Sequence, residues 1–416
     1  MSATATTNKS AFTGYDKFMI AVLAFIQFTV VLDFMVLSPL GTILIEEMHL
    51  TTQQFSSVVS AYAISAGISG LLTAGFADKF DRRKLLLFFY TGFIIGTVFC
   101  AISPDFYTLF AARVFTGIFG GVISSIGMAI ITDIFTMQVR GRVMGIVQMS
   151  FAASQVLGLP IGLWLANEYA WHAPFWLIAI IGAVVGVIIM LKMKPVNAHL
   201  AESRKQNAIQ HLIKTVTNKN YARGFLATTL VATGGFMLMP FGSDYTTHNL
   251  GLTLDELPMI YAITGVFTII VGPLAGRYSD KIGKYRMFFG ASLVTMAFCI
   301  IYTNLGLSSF WMVAFVNSMM MAAVTARMIS ASALITAVPA APDRGAFMSI
   351  NSSVQQISGG VASIIAGQIV VKEASTGNLL HYPILGYVVA ASMIVALFLY
   401  FRVDQMIKAQ FNSRDL

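Results

Sequence analysis

Twelve apolar runs follow one another along the chain, near 18–42, 55–77, 85–103, 106–133, 142–166, 171–192, 222–247, 257–279, 286–305, 308–333, 345–371 and 383–402. Each is close to or above the about 20 residues that a helix needs to cross the hydrocarbon of a bilayer. A membrane strand would show only about ten residues of alternating polarity. In lipid, backbone groups must be satisfied within the segment, so these continuous runs are expected to be helices. Composition agrees: 57% of the 416 residues are hydrophobic and 11% are charged, against about 25% charged in a soluble domain. The expected fold is an all-α membrane protein of twelve transmembrane helices.

The loops carry an orientation signal. If twelve helices alternate, Lys9, Lys17, Lys79, Arg82, Arg83, Lys84, Arg140, Arg142, Lys194, Arg204, Lys205, Lys281, Lys284, Arg286, Arg344, Arg402 and Lys408 all fall on one side. The other side holds Glu46, Glu47, His49, Asp105, Glu168, His172, His248, Asp255, Glu256, Glu373 and one lysine, Lys372. Short loops rich in Lys and Arg stay cytoplasmic. Both termini are therefore expected in the cytoplasm, in a bacterial-type inner membrane. The net charge of +8 reads as this orientation signal, and no nucleic-acid partner is expected. Residues 1–15 are polar, so no cleavable signal peptide is expected. Cys100 and Cys299 lie inside apolar runs and are expected to be free thiols.

A charged segment occurs twice. Ala74 to Lys84 contains Asp78, Lys79, Arg82 and Lys84; Gly276 to Arg286 contains Asp280, Lys281, Lys284 and Arg286, 202 residues later. Arg140-Gly141 and Arg344-Gly345 repeat at a spacing of 204. Two near-equal offsets of half the chain indicate a duplicated unit. With six spans in each unit, the halves should be related by a pseudo-two-fold axis along the membrane normal. The expected organisation is a cytoplasmic tail over 1–17, a six-helix bundle over 18–192, a cytoplasmic linker over 193–221 that can be part-helical at the membrane surface, a second bundle over 222–402, and a tail over 403–416.

With these motifs the chain resembles the major facilitator superfamily of secondary transporters. The family's loop signature is Gly-x-x-x-Asp-Arg/Lys-x-Gly-Arg/Lys-x-Arg/Lys. The second copy fits through Gly276, Asp280, Lys281, Gly283, Lys284 and Arg286. The first keeps Asp78, Lys79, Arg82 and Lys84 but has Ala74 and Asp81 where glycine is usual. Asp81 is expected either to stiffen the turn or to pair with a neighbouring arginine. The resemblance places Asp78 near the start of span 11. A carboxylate there gains from the helix dipole, and the contact would hold the halves closed at the cytoplasmic side. The alternative is a topology signal with no gating role.

Asp33 in span 1 and Arg113 in span 4 are ionisable residues within apolar runs, where such residues are costly and tend to be functional. Each lies ~10 Å from the outer edge at 1.5 Å per residue, so the depths permit a pair. Arg113 with Gly117 resembles the family's Arg-x-x-x-Gly span-4 motif, which implies a role in proton transfer. A static pair that fixes helix packing is the alternative. The second half has no such pair: at the 204 spacing Arg113 maps to Asn317. Arg327 in span 10 is expected to snorkel to the headgroups.

Span 5 contains Gly158, Pro160 and Gly162, which favour close helix approach and a bend. With Trp171-His172-Ala173-Pro174, this stretch resembles sugar- and drug-efflux permeases, which usually have Arg where His172 stands. Substrate-cavity candidates are Gln27, Tyr62, Gln148, Gln155, Phe236, Asp244, Tyr245, Asn317, Asn351, Gln355 and Gln356. No phosphate-binding loop and no metal-ligand spacing occurs, so neither an enzyme, a cofactor nor a metal is expected.

The expected protein is a monomeric transporter that exports a small organic molecule against protons, driven by the proton gradient, with Asp33 as carrier, Arg113 tuning it and the two charged motifs as gates. An uptake symporter or facilitator, with Asp33–Arg113 purely structural, is the alternative. A membrane receptor that binds without flux is a third class.

Overall fold

The computed structural model describes residues 12–73, 79–197, 200, 208–340 and 343–412. In the first half, α1 (Gly14–Val36) starts at a capping box in which Thr13 and Asp16 exchange bonds. It stops before Pro39 and is followed by the short α2 (Gly41–Glu47). The first apolar run is therefore not one helix to residue 42, because Ser38-Pro39 breaks it. Then come α3 (Thr52–Thr73), α4 (Arg82–Ala101), α5 (Phe106–Ile134), α6 (Met137–Ala153), a π turn (Ser154–Gly158), α7 (Leu159–Glu168) and α8 (Ala173–Lys192). The linker contributes α9 (Ala208–Thr217).

The second half opens with α10 (Lys219–Leu238), which runs through a 3₁₀ turn (Met239–Phe241), α11 (Gly242–Asp244) and a π turn (Tyr245–Asn249). It continues with α12 (Leu257–Ile282), α13 (Lys284–Thr303), α14 (Phe310–Ile335), α15 (Arg344–Ile369), an antiparallel pair of β1 (Val371–Lys372) and β2 (Leu379–Leu380), and α16 (Tyr382–Asn412). The last helix runs ten residues beyond the expected boundary at 402.

Twelve crossings result, six per half. Eleven are long and apolar enough to span a bilayer. The twelfth, α15, has 26 residues, but its centre reads Asn351-Ser352-Ser353-Val354-Gln355-Gln356. Asn351 and Ser353 are buried by protein, and polar side chains along the helix are bonded to neighbouring helices. Thr228 donates to Asn351 Oδ1 at 2.6 Å, Ser358 to Thr229 Oγ1 at 3.1 Å and Ser363 to the Ser56 carbonyl at 3.3 Å.

The last of these bonds joins the halves, as does the whole α3–α15 contact. Small residues allow the close approach that membrane helices need. A Cβ at Gly67 would lie 2.6 Å from Ile357 Cγ1, and one at Gly360 would lie 2.5 Å from Ile64 Cγ1. A second seam joins span 5 to α12, where a Cβ at Gly265 would lie 2.6 Å from Val156 Cγ2.

The basic loops meet on one face. Arg82 N–H donates to the Val196 carbonyl, Lys194 N–H to Tyr15 Oη, and Arg142 lies over the Phe12 ring. On the opposite face, Glu46, His248 and Lys372 come together. Cys100 and Cys299 are buried free thiols.

Candidate functional site

Asp33 and Arg113 form a completely buried ion pair. Arg113 Nη1 donates to Asp33 Oδ2 at 2.8 Å and also approaches the Asp33 carbonyl at 3.3 Å. Asp33 Oδ1 accepts from Thr97 Oγ1 at 3.1 Å. Three helices thus converge on one carboxylate: α1 supplies it, α5 the guanidinium and α4 the hydroxyl. Tyr62, from α3, lies beneath the guanidinium with Arg113 Cζ 4.6 Å from its ring centroid. That contact depends on Gly117, since a Cβ there would lie 2.5 Å from the Tyr62 carbonyl oxygen. Arg113 and Gly117, one helical turn apart, hold the same tyrosine from its ring and its backbone. Arg113 Nε has no hydrogen-bond partner among the described residues. The site therefore holds a single carboxylate with both oxygens bonded, one to a guanidinium and one to a hydroxyl.

Phe34 extends this site towards the second half. Its ring centroid is 5.3 Å from Tyr62 and 5.8 Å from Phe236. Tyr62 and Phe236 are thereby brought to one aromatic cluster beside the pair. Gln27 accepts from Ser124 at 3.0 Å, and Asn351 is engaged by Thr228. Gln155, Asn317, Gln355 and Gln356 are half-buried, whereas Gln148 is exposed.

Gly158 and Gly162 pack α7 and its π turn on α1, where Cβ atoms would lie 2.6 Å from Leu32 Cδ1 and 2.9 Å from Val36 Cγ2. The π turn comes just before Pro160, whose missing N–H leaves the preceding turn without a donor. His172 stacks on Trp171 at 3.7 Å between centroids. Burial holds its imidazole below the ordinary range, with Glu47 opposing.

The charged motifs differ from expectation. Asp78 lies outside the described residues. Arg82 is buried and donates from Nε to Asp133 Oδ2 at 3.1 Å, a partner the sequence did not suggest. Lys79 and Lys84 are exposed. Asp81 accepts from Lys84 N–H at 3.1 Å and so caps α4. In the second copy, Gly276, Asp280 and Lys281 are not in a loop but in the last turns of α12, because helix formation stops only at Gly283, with φ 98°. Asp280 pairs with Lys284 at 3.1 Å on the exposed surface, and Arg286 is exposed.

Asp244 and Tyr245 lie away from the Asp33 site, near the opposite face. Tyr245 is buried, stacks on Tyr382 at 4.0 Å and donates to the Leu305 carbonyl at 2.8 Å. Asp244 is fully buried and pairs with Lys372 at 3.0 Å and His248 at 2.8 Å. His248 lies one helical turn after Asp244, whereas Lys372 comes from β1, 128 residues later, so sequence spacing did not reveal its part in the cluster. Arg327 does not snorkel. It is buried inside the second bundle, 5.8 Å from the Phe288 ring centroid, and its Nε and Nη2 have no partner among the described residues. Its side chain turns inward from α14, so distance along the helix misjudged its environment.

The uncharacterized MFS-type transporter YceJ of Bacillus subtilis (strain 168) is 26% identical over 271 residues, 65% of this chain and 68% of YceJ. Multidrug resistance protein 2 of the same strain is 23% identical over 247 residues, 58% of this chain and 61% of that protein. The fold is similar to the crystal structure of a bacterial homologue of the human lysosomal transporter Spinster, inward-facing and occupied. The TM-score is 0.73 at 16% identity, over 95% of this chain and 98% of that one. The profile of the Major Facilitator Superfamily matches residues 23–223 and again 224–415. The two matches together cover nearly the whole chain, and the chain belongs to the Major Facilitator Superfamily, a family of transporters and not of enzymes.

Proposed function

We propose that this transporter exports a small organic molecule in exchange for protons by alternating access, with Asp33 as the proton carrier. The observation that carries the reading is the Asp33–Arg113 pair, sealed among four helices of one half and joined through Phe34 to an aromatic contact with the other. Protonating Asp33 removes the charge that compensates Arg113 and changes which arrangement of the halves is favoured. Similarity to a protein named for multidrug resistance supports an organic substrate. The basic loops support a plasma-membrane protein with cytoplasmic termini, and we take the transporting unit to be a single chain.

The test is proton movement in reconstituted vesicles across a panel of drug-like and sugar substrates, with wild type beside Asp33→Asn. Substrate-dependent proton movement that disappears in the variant is the expected result. Substrate movement without proton movement in wild type would leave a facilitator. A second reading, an uptake symporter or facilitator with a purely structural pair, is favoured by one observation: both Asp33 oxygens are already bonded. In that case a symporter's coupling survives Asp33→Asn, and a facilitator shows no coupling in either protein.

A further inference from the structure

We propose that Glu46, His248, Asp244 and Lys372 form a second proton-binding site that locks the two halves together at the face opposite the basic loops. It rests on the alternating-access part of the proposed function, and not on Asp33 as carrier.

The imidazole of His248 lies between two carboxylates. Nδ1 is 2.8 Å from Asp244 Oδ1, and Nε2 is 3.0 Å from Glu46 Oε1. A neutral imidazole has one N–H, so both contacts are hydrogen bonds only when the ring is protonated. The charged groups facing it are Asp244 from its own helix, Glu46 from α2, and Lys372 from β1. Lys372 Nζ is 3.0 Å from Asp244 Oδ1 and 3.7 Å from Glu46 Oε1. With the proton bound, two cations face two carboxylates and the cluster is neutral. Without it, the cluster carries a net negative charge that is partly buried.

Which bond is lost follows from burial. The Asp244 side chain is 0% exposed and its Oδ2 has no partner among the described residues, whereas the Glu46 side chain is 50% exposed. Water can replace a bond to Glu46 but not one to Asp244. The remaining hydrogen therefore stays on Nδ1, and Nε2 becomes an acceptor facing a carboxylate. That is the contact between the halves. The proton leaves to the water at this face, and no other bond is broken.

The surroundings fix His248 in this role. It lies in the π turn that ends the α10 span, a geometry that recurs at functional sites. Asn249 ties the hairpin to that turn through two bonds to Leu379, at 3.1 and 2.8 Å. The hairpin's Gly377, at φ 74°, covers the ring so closely that a Cβ would lie 2.6 Å from His248 Cδ2. Beside the lock, Ser243 Oγ donates to the Ser38 carbonyl at 3.1 Å and Thr52 Oγ1 to the Val370 carbonyl at 2.8 Å, so the halves touch here without it. The lock adds a proton-dependent increment to an existing contact.

The experiment is a distance measurement between spin labels at Gln53→Cys and Leu307→Cys, exposed positions on the two halves at this face, in reconstituted full-length protein. The native cysteines are buried. As pH rises from about 5.5 to about 8.5, through the histidine range, the ratio of short to long distances is expected to fall about tenfold, the scale of one charge-assisted hydrogen bond. His248→Gln should abolish that dependence. Glu46→Gln should flatten it and, being half-exposed, tests the lock even if the histidine variant fails to fold. Asp33→Asn in the same background should keep it, so failure of the antiport reading and failure of the lock are distinguishable. A wild-type ratio independent of pH, or an unchanged dependence in either lock variant, overturns the proposal.

Discussion

Asp81 and Gly283 hold the same place in the repeated motif, 202 residues apart, with opposite backbones: φ is −57° at Asp81 and 98° at Gly283. At 283 the chain leaves α12 and enters α13 through a conformation that side chains rarely adopt. At 81 it approaches α4 in an ordinary conformation, and the carboxylate is used as a cap. The first copy's departure from glycine is thus accommodated by a different turn. An exchange should be asymmetric. Gly283→Asp is expected to cost about 1–3 kcal/mol, and Asp81→Gly only a few tenths. Thermal unfolding in detergent, read by exposure of the two buried thiols, checks this; equal costs would mean that the two turns are interchangeable.

The buried pair makes a different prediction about stability. Removing one partner leaves a charge among apolar neighbours, so Arg113→Met and Asp33→Leu should each cost about 3–5 kcal/mol. The double variant should cost far less than their sum, because the remaining charge is gone as well. The same thiol-exposure assay completes this double-mutant cycle. An additive double variant would show that Arg113 and Asp33 do not stabilise one another.

What was legible in the sequence follows from where the determinants lie. The spans, the repeat and the equal depth of Asp33 and Arg113 are properties of single helices and their order, and one-dimensional spacing carries them. Thr97 and Tyr62 complete the site through helix rotation, which spacing alone does not give. Tyr62 entered the reading only as one polar candidate among many. The prolines at 39 and 160 were visible as residues, but not that Gly158 and Gly162 beside Pro160 would pack against Leu32 and Val36. The Glu46–His248–Lys372 contact was hidden because three separate loops supply it. Arg327 was misread because its rotamer, not its depth, decides whether it meets lipid headgroups or protein.

Arg327 leads to a prediction of opposite sign to that for Arg113. A guanidinium buried with two nitrogens unbonded among the described residues loses hydration, and a ring at 5.8 Å offsets only part of that loss. Arg327→Met is therefore expected to raise the unfolding temperature, by a gain of about 1 kcal/mol or more. Gly234 leaves room beside it, since a Cβ there would still be 3.7 Å from Nη1. A lower unfolding temperature would mean that the charge is compensated in the folded protein.

Strong acid should release the linker from the second bundle. Asp343, just ahead of α15, accepts from His211 of α9 at 2.9 Å and from Tyr221 Oη at 2.7 Å. These bonds hold its carboxyl below the ordinary carboxylate value of 3.8. A depressed folded value means that the unfolded or undocked segment binds the proton more readily. The contribution is thus complete above the ordinary value and is lost as pH falls through the folded one. The protection of α9 amides relative to their intrinsic exchange should be constant from neutral pH down to the ordinary carboxylate range and should fall only below it. Because the pair is only part-buried and partly screened by water, Asp343→Asn at neutral pH should speed that exchange by only about two- to fivefold. Protection that stays unchanged well below the ordinary carboxylate range would mean that Asp343 does not hold the linker.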